Sequence, residues 1–221
     1  MHATTILNFH GIGTPQRELE PGEAPLWLES AHFEEILDVA TTAEASVELT
    51  FDDGNASDVE IALPNLLARG LTARFFVLAG RLEDDGSLSS DDVRMLRDEG
   101  MRIGSHGMEH RPWRGLDDRA LDAELVDARR VLSSVISGPV EEAACPRGSY
   151  DRRVIRKLRD HGYARVFTSD GGRTSAGGWL QARHSLSASD SPSDIAHLIE
   201  RGEAARSAAI RRVKKAAKRV R

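Results

Sequence analysis

What most constrains this chain is the alternation, along nearly its whole length, of short apolar runs with amphipathic stretches. Thr4–Phe9, Val47–Phe51, Arg74–Leu78, Arg102–Gly104, Ala143–Cys145 and Arg165–Thr168 read as short buried strands, with a further one around Leu180–Leu186. Between them, Ala31–Ala40, Val59–Arg69, Asp91–Glu99, Arg119–Ser137 and Asp151–His161 repeat their apolar residues at helical spacing. Ser57 and Ser90 stand where an N-cap belongs, and Gly70, Gly100 and Gly162 where a helix would stop. About seven strand–helix units predict an α/β protein, either a barrel or a doubly wound parallel sheet.

At 221 residues, this is one well-buried domain rather than two. No run approaches the roughly 18 apolar residues of a membrane span, and the N-terminus enters a strand-like segment without a leader pattern, so the expectation is a cytoplasmic protein. The lone Cys145 excludes an internal disulfide and a cysteine zinc site; among Ala143 and Ala144 it reads as a buried filler. Charge is uneven. From Arg201 onward there are nine Lys/Arg and one Glu, leaving about −13 on the first 200 residues of a chain whose formal net is −5. We divide the chain into an α/β domain over 1–192 and a basic C-terminal helix over 193–221, where Ile195, Ile199, Ala205, Ala209, Val213, Ala216 and Val220 form a thin apolar stripe. That tail suits peripheral docking to a membrane or an acidic partner, or simply a solvated terminal helix. The acidic body argues against a nucleic-acid partner.

Two segments carry chemistry. In Leu49-Thr50-Phe51-Asp52-Asp53-Gly54 an apolar strand ends in adjacent carboxylates, which repel unless something positive neutralises them, and a glycine that permits a sharp turn. Alone, it is equally a helix-capping turn. In Gly104-Ser105-His106-Gly107-Met108-Glu109-His110 two histidines four apart follow a strand and a glycine. Alone, they are an ordinary surface pair. Together, each at the C-terminal end of a strand where α/β barrels place reactive groups, they offer one Asp and two His with positions left for water and substrate.

With these residues in view, the chain resembles the polysaccharide deacetylases, which include chitin and peptidoglycan N-deacetylases and share the NodB homology domain. Thr50-Phe51-Asp52-Asp53-Gly54 is that family's first motif unchanged, and His106 and His110 keep the spacing of its second, with Gly107 where a hydroxyl residue usually braces the loop. Pro146-Arg147-Gly148-Ser149-Tyr150 resembles its Pro-Tyr-Gly loop, with Arg147 in the tyrosine slot; a second register would match Arg147 and Tyr150 instead. The resemblance spans roughly Thr5 to Leu186. It implies a distorted (β/α)7-type barrel. It also implies a divalent metal, in the first place Zn²⁺, held by Asp53, His106 and His110, with Asp52 as base and the Arg147 backbone N–H as oxyanion donor. Arg183 is the residue expected to pair with the base. His184 follows it and, in a strand, faces the other way. The family's final histidine motif, which supplies the acid, has no clear counterpart. His197 sits in a helical stretch, and His10, ending the first strand, is the pocket-lining residue and acid candidate that remains.

The implied reaction is hydrolysis of the acetamide of an N-acetylated saccharide, with water acidified by the metal and its proton taken by Asp52. Without an export signal, a soluble or lipid-linked saccharide is the expected substrate. Two other readings stay open: hydrolysis of another non-peptide C–N bond in a small amide, and a catalytically weak carbohydrate-binding relative.

Overall fold

A computed structural model describes residues 3–175 and 177–202. The expected alternation is present. Strands β1 (Ala3–Phe9), β2 (Val47–Asp53), β3 (Ala73–Val77), β4 (Arg102–Ser105), β5 (Glu142–Ala144) and β6 (Arg165–Thr168) pair in sequence order, all parallel. A short β7 (Thr174–Ser175) runs antiparallel on β1. The expected last strand is split into β8 (Leu180–Ala182), parallel to β6, and β9 (His184–Ser185), parallel to β1. The seven-residue stretch from Leu180 to Leu186 therefore reaches from one edge of the sheet to the other. Leu186 donates its N–H to the Asn8 carbonyl, and Arg183, at the break, donates to the Thr168 carbonyl. The result is a nearly closed barrel of the distorted (β/α)7 type, in which the last strand pairs each neighbour with only part of its length.

Helices α1 (Ser30–Thr42), α2 (Leu63–Ala68), α3 (Ser90–Asp98), α4 (Asp118–Asp122), α5 (Ala128–Val135) and α6 (Arg152–Asp160) cover the outside, and α7 (Pro192–Arg201) packs on α1 with Ile195 and Ile199 buried. Strand pleat sorts the side chains. Phe9, Phe51 and Phe75 point out under the helices and stack, with ring centroids 5.0 and 4.6 Å apart. Residues of the opposite strand face point in: Ile6, Phe76, Ala144 and Phe167 form a small separate cluster, and Asn8, Thr50 and Asp52 are buried as well. Cys145 is buried, as expected.

Element ends differ from the sequence reading in physically clear ways. The capping box of α3 is set by Ser89 with Asp92, one residue before Ser90. Ser57 caps nothing with its side chain; its Oγ accepts the Ile12 N–H instead. Two expected helices contain a π turn, Asp58–Ala62 ahead of α2 and Ala123–Asp127 between α4 and α5, and in each the widened turn turns an acidic side chain, Asp58 or Glu124, into the protein. Gly70, Gly100 and Gly162 all have positive φ at helix ends. Of the basic tail, residues 203–221 lie outside the described residues.

Candidate metal centre

Every candidate side chain lies at or just beyond the C-terminal end of a strand. His10 follows β1, Asp52 and Asp53 end β2, and His106 and His110 follow β4. Arg147 follows β5, and Arg183 sits between β8 and β9. With Arg183 behind Asp52, the others line one pocket of about 260 Å³, completed by Pro21, Gly22, Glu23, Leu26, Ser169 and Ser185.

Adjacent residues of a flat strand face opposite ways, so Asp52 and Asp53 would not meet in one pocket. Asp53 solves this with a left-handed backbone, φ 79°. His110 (φ 53°) and Arg147 (φ 54°) share that conformation, so among the described residues three of the five non-glycine positions with positive φ line this pocket. Each such residue costs on the order of 1–3 kcal/mol, a load that well-supported functional sites bear more often than surface turns do.

Asp53 Oδ1 is 3.5 Å from His106 Nε2 and 3.5 Å from His110 Nε2. All three donor atoms lie within 4.8 Å of one another. Ligand bonds of about 2.0–2.2 Å in a tetrahedral zinc site put donors roughly 3.3–3.6 Å apart. Asp53 Oδ1 is buried and has no hydrogen-bond partner among the described residues. Both imidazoles are turned the same way. His106 Nδ1 meets the Ala144 carbonyl at 3.0 Å and His110 Nδ1 meets Glu20 Oε2 at 2.8 Å, so each Nδ1 carries the proton and each Nε2 lone pair faces Asp53. Burial pushes His106 down to about 4 despite Asp52 and Asp53, so the ring is neutral at pH 7. The residues fit a divalent cation.

Asp52 is buried beside this trio, 3.8 Å from His106 Nε2. Arg183, with no exposed surface, grips it through two bonds, Nη1 to Oδ1 and Nη2 to Oδ2, both 2.7 Å, and lies over the Phe76 ring. Asn8 adds a bond from Nδ2 to Asp52 Oδ2 at 3.0 Å, while its own Oδ1 accepts from Arg183 and from the Thr50 hydroxyl. Burial alone would raise the Asp52 carboxyl, but Arg183 holds it far below the usual carboxylate range. His184 points elsewhere, accepting the Gly172 N–H through Nε2. Tyr150 is fully buried and donates to Asp170 at 2.5 Å, so Arg147, not Tyr150, is the residue of that loop facing the pocket.

Four residues escaped the sequence reading. Asn8 is one. Glu124, 1% exposed, accepts the N–H groups of Met108 and Glu109 at 2.9 and 3.2 Å, bracing the histidine loop, and a Cβ on Gly107 would collide with it. Glu20, on the long β1–α1 loop, holds His110, Arg147 and Arg81 at once. Asp58 is fully buried with neither carboxylate oxygen partnered among the described residues, and burial, then Asp53 and Asp52, push its carboxyl well above 3.8. Only the Gly11–Pro25 loop, long enough to be functional, gave any signal, and it did not single out Glu20.

A family model described as polysaccharide deacetylase matches residues 40–166, more than half the chain, a span that includes Asp52, Asp53, Asp58, His106, His110, Glu124 and Arg147. Among curated proteins, YxkH of Bacillus subtilis (strain 168), named for polysaccharide deacetylation, is 23% identical over 142 residues. That alignment covers 64% of this chain and 51% of YxkH, so the chain spans about half the length of this relative. Among solved structures, the Streptococcus pyogenes deacetylase PplD in complex with acetate superposes with a TM-score of 0.78 at 20% identity, over 90% of this chain and 98% of that one. IcaB from Ammonifex degensii gives 0.76 at 18% identity, again over 90% and 98%. At such identities the likeness is one of fold.

Proposed function

Since the chain belongs to the polysaccharide deacetylase family, we propose that it is a metal-dependent carbohydrate N-deacetylase, converting the acetamide of an N-acetylated sugar and water to an amine and acetate. The observation that carries this reading is the convergence of Asp53 Oδ1, His106 Nε2 and His110 Nε2 beside the Asp52–Arg183 pair in one pocket. The acetate in the PplD structure named above is the product such a reaction releases.

Asp53, His106 and His110 would hold the ion, in the first place Zn²⁺. When bound, a divalent cation lowers the pKa of water towards about 7 and polarises a carbonyl oxygen. Asp52 takes the proton of the attacking water. Its two-point grip by Arg183 fixes the carboxylate plane and keeps it ionised, and Asn8 holds the same carboxylate from the side. A carboxylate held so low is a weak base, so it needs a water already made acidic, which ties its role to the adjacent donor trio. The Arg147 N–H donates to the oxygen of the former carbonyl as negative charge builds there. His10 lines the same pocket, and its buried Nδ1 has no partner among the described residues, so it is the group to protonate the leaving nitrogen.

Acetate release from a chitooligosaccharide, with and without added zinc, tests this. Zinc-dependent release is expected, absent in His106→Ala together with bound metal, and absent in Asp52→Asn with metal retained. Full activity in Asp52→Asn would remove the base assignment, and release indifferent to a chelator would remove the metal.

A further inference from the structure

Among the described residues lining the pocket, Arg147 is the only Arg or Lys. Its backbone is left-handed, its side chain is 46% exposed, and one Nη donates to Glu20 Oε2 at 2.6 Å. Among the described residues its guanidinium makes no other hydrogen bond, whereas Arg183 spends both Nη groups on Asp52, Asn8 and Thr50. A guanidinium presents five donors in a rigid fork that matches a carboxylate or phosphate. Held at one corner, Arg147 keeps the rest of the fork for something else.

Glu20 does not cancel this charge. Its other oxygen takes Arg81, and the oxygen that meets Arg147 also accepts from His110. Two arginines thus share one carboxylate, leaving a local surplus of one positive charge at the rim. Glu23, the remaining lining acid outside the metal trio and Asp52, is engaged by Arg17, the Trp27 indole N–H and the Glu20 N–H. The other rim residues, Pro21, Gly22, Leu26, Ser169 and Ser185, are uncharged. A volume of about 260 Å³ suits roughly one sugar ring at the metal, with a charged substituent or a neighbouring charged residue at the mouth.

We propose that the acetamido sugar accepted here carries an anionic group, a carboxylate or a phosphate, and that the Arg147 side chain, oriented by Glu20, recognises it. The inference rests on the deacetylase reading above and specifies its substrate class. Glu20 acts as the positioning residue, fixing the fork before substrate arrives and so reducing the ordering cost of binding.

The test compares three acetamido substrates with the zinc-loaded protein: chitotetraose (neutral), a hyaluronan tetrasaccharide (carboxylate) and N-acetylglucosamine 1-phosphate (phosphate). At low salt, kcat/KM for one of the anionic substrates should exceed that for chitotetraose at least tenfold, and which of the two does so identifies the anion. Arg147→Gln keeps the backbone N–H, so it should bring that ratio to about one, mainly through KM, and Arg147→Glu should invert it. A wild-type preference for chitotetraose, or a ratio unmoved by Arg147→Gln, overturns the proposal. Calorimetric binding of the same three sugars to zinc-loaded Asp52→Asn protein separates this failure from that of the deacetylase reading. Arg147-dependent binding of an anionic sugar, with no acetate released by the wild type, would leave anion recognition standing and remove the reaction. Absence of both would remove both.

Discussion

Asp53 shows how much a single backbone angle decides. Residue type and strand-end position made Asp52, Asp53, His106 and His110 legible as a group. What sequence could not express is that Asp53 must leave the strand conformation to join them. Nor could it find Asn8 or Glu20, whose partners Asp52 and His110 lie 44 and 90 residues away and are brought near only by the fold, or Asp58 and Glu124, which π turns direct inward. Gly107 is the instructive departure. The hydroxyl expected there is replaced by empty space, which the Glu124 carboxylate occupies. Gly107→Ser should therefore destabilise by about 2–4 kcal/mol, from a strained φ of 92° and the collision. Urea denaturation should show the Gly107→Ser/Glu124→Ala pair to be less costly than the sum of its parts; strict additivity would deny the contact. Asp58 makes a prediction with a definite sign. Its folded-state carboxyl is raised above 3.8, by burial first and then by Asp53 and Asp52, so the folded protein keeps a proton that the unfolded chain releases. Stability from this group is full below that value and falls as pH rises through the raised one. With chelator present, the stability lost as pH rises from 4 to 7 should be smaller in Asp58→Asn than in the wild type. Equal slopes would mean that Asp58 is ionised in the fold.

Among the elements, the strands were legible to within a residue or two because burial on both faces makes them nearly continuous apolar runs. The helices were less so. The π turns at Asp58–Ala62 and Ala123–Asp127 keep a helical apolar spacing in sequence while redirecting one acidic side chain each, so periodicity alone cannot detect them. The β1–α1 loop shows a different limit. Its composition said only that it was long and rich in Gly, Pro and Glu, yet it delivers Glu20 to a histidine 90 residues away. Burial opposes ionisation of Glu20, but His110 and Arg81 hold its carboxyl down at about 2, so it is a charged acceptor at any working pH. Removing such an acceptor from a metal-binding histidine typically weakens the metal 10–100-fold. Glu20→Ala should lose roughly that much zinc affinity in a chelator competition, with Glu20→Gln, which keeps an acceptor oxygen, falling between. Unchanged affinity in Glu20→Ala would reduce the Glu20–His110 contact to a bystander.

At the scale of the molecule, a barrel with about seven strands was readable from the count of strand–helix units, but its manner of closure was not. One stretch, Leu180–Leu186, pairs β6 with its first half and β1 with its second, and Arg183 at the change-over reaches inward to Asp52. Closure and the proposed base are thus fixed by the same residue. The proposed metal ligands are spread likewise: Asp53 ends β2, while His106 and His110 follow β4, with β3 between them. No short segment of the unfolded chain presents all three, so an ion bound by them favours the folded state over the unfolded one. Free zinc at about 1,000 times its dissociation constant should add about 4 kcal/mol. For a chain of this size that corresponds to a rise in Tm of roughly 8–16 °C. The rise should track zinc concentration, vanish in His106→Ala, and survive in Asp52→Asn, whose side chain stands beside the trio. Scanning calorimetry distinguishes the cases directly. A zinc-induced rise of equal size in His106→Ala would place the ion elsewhere.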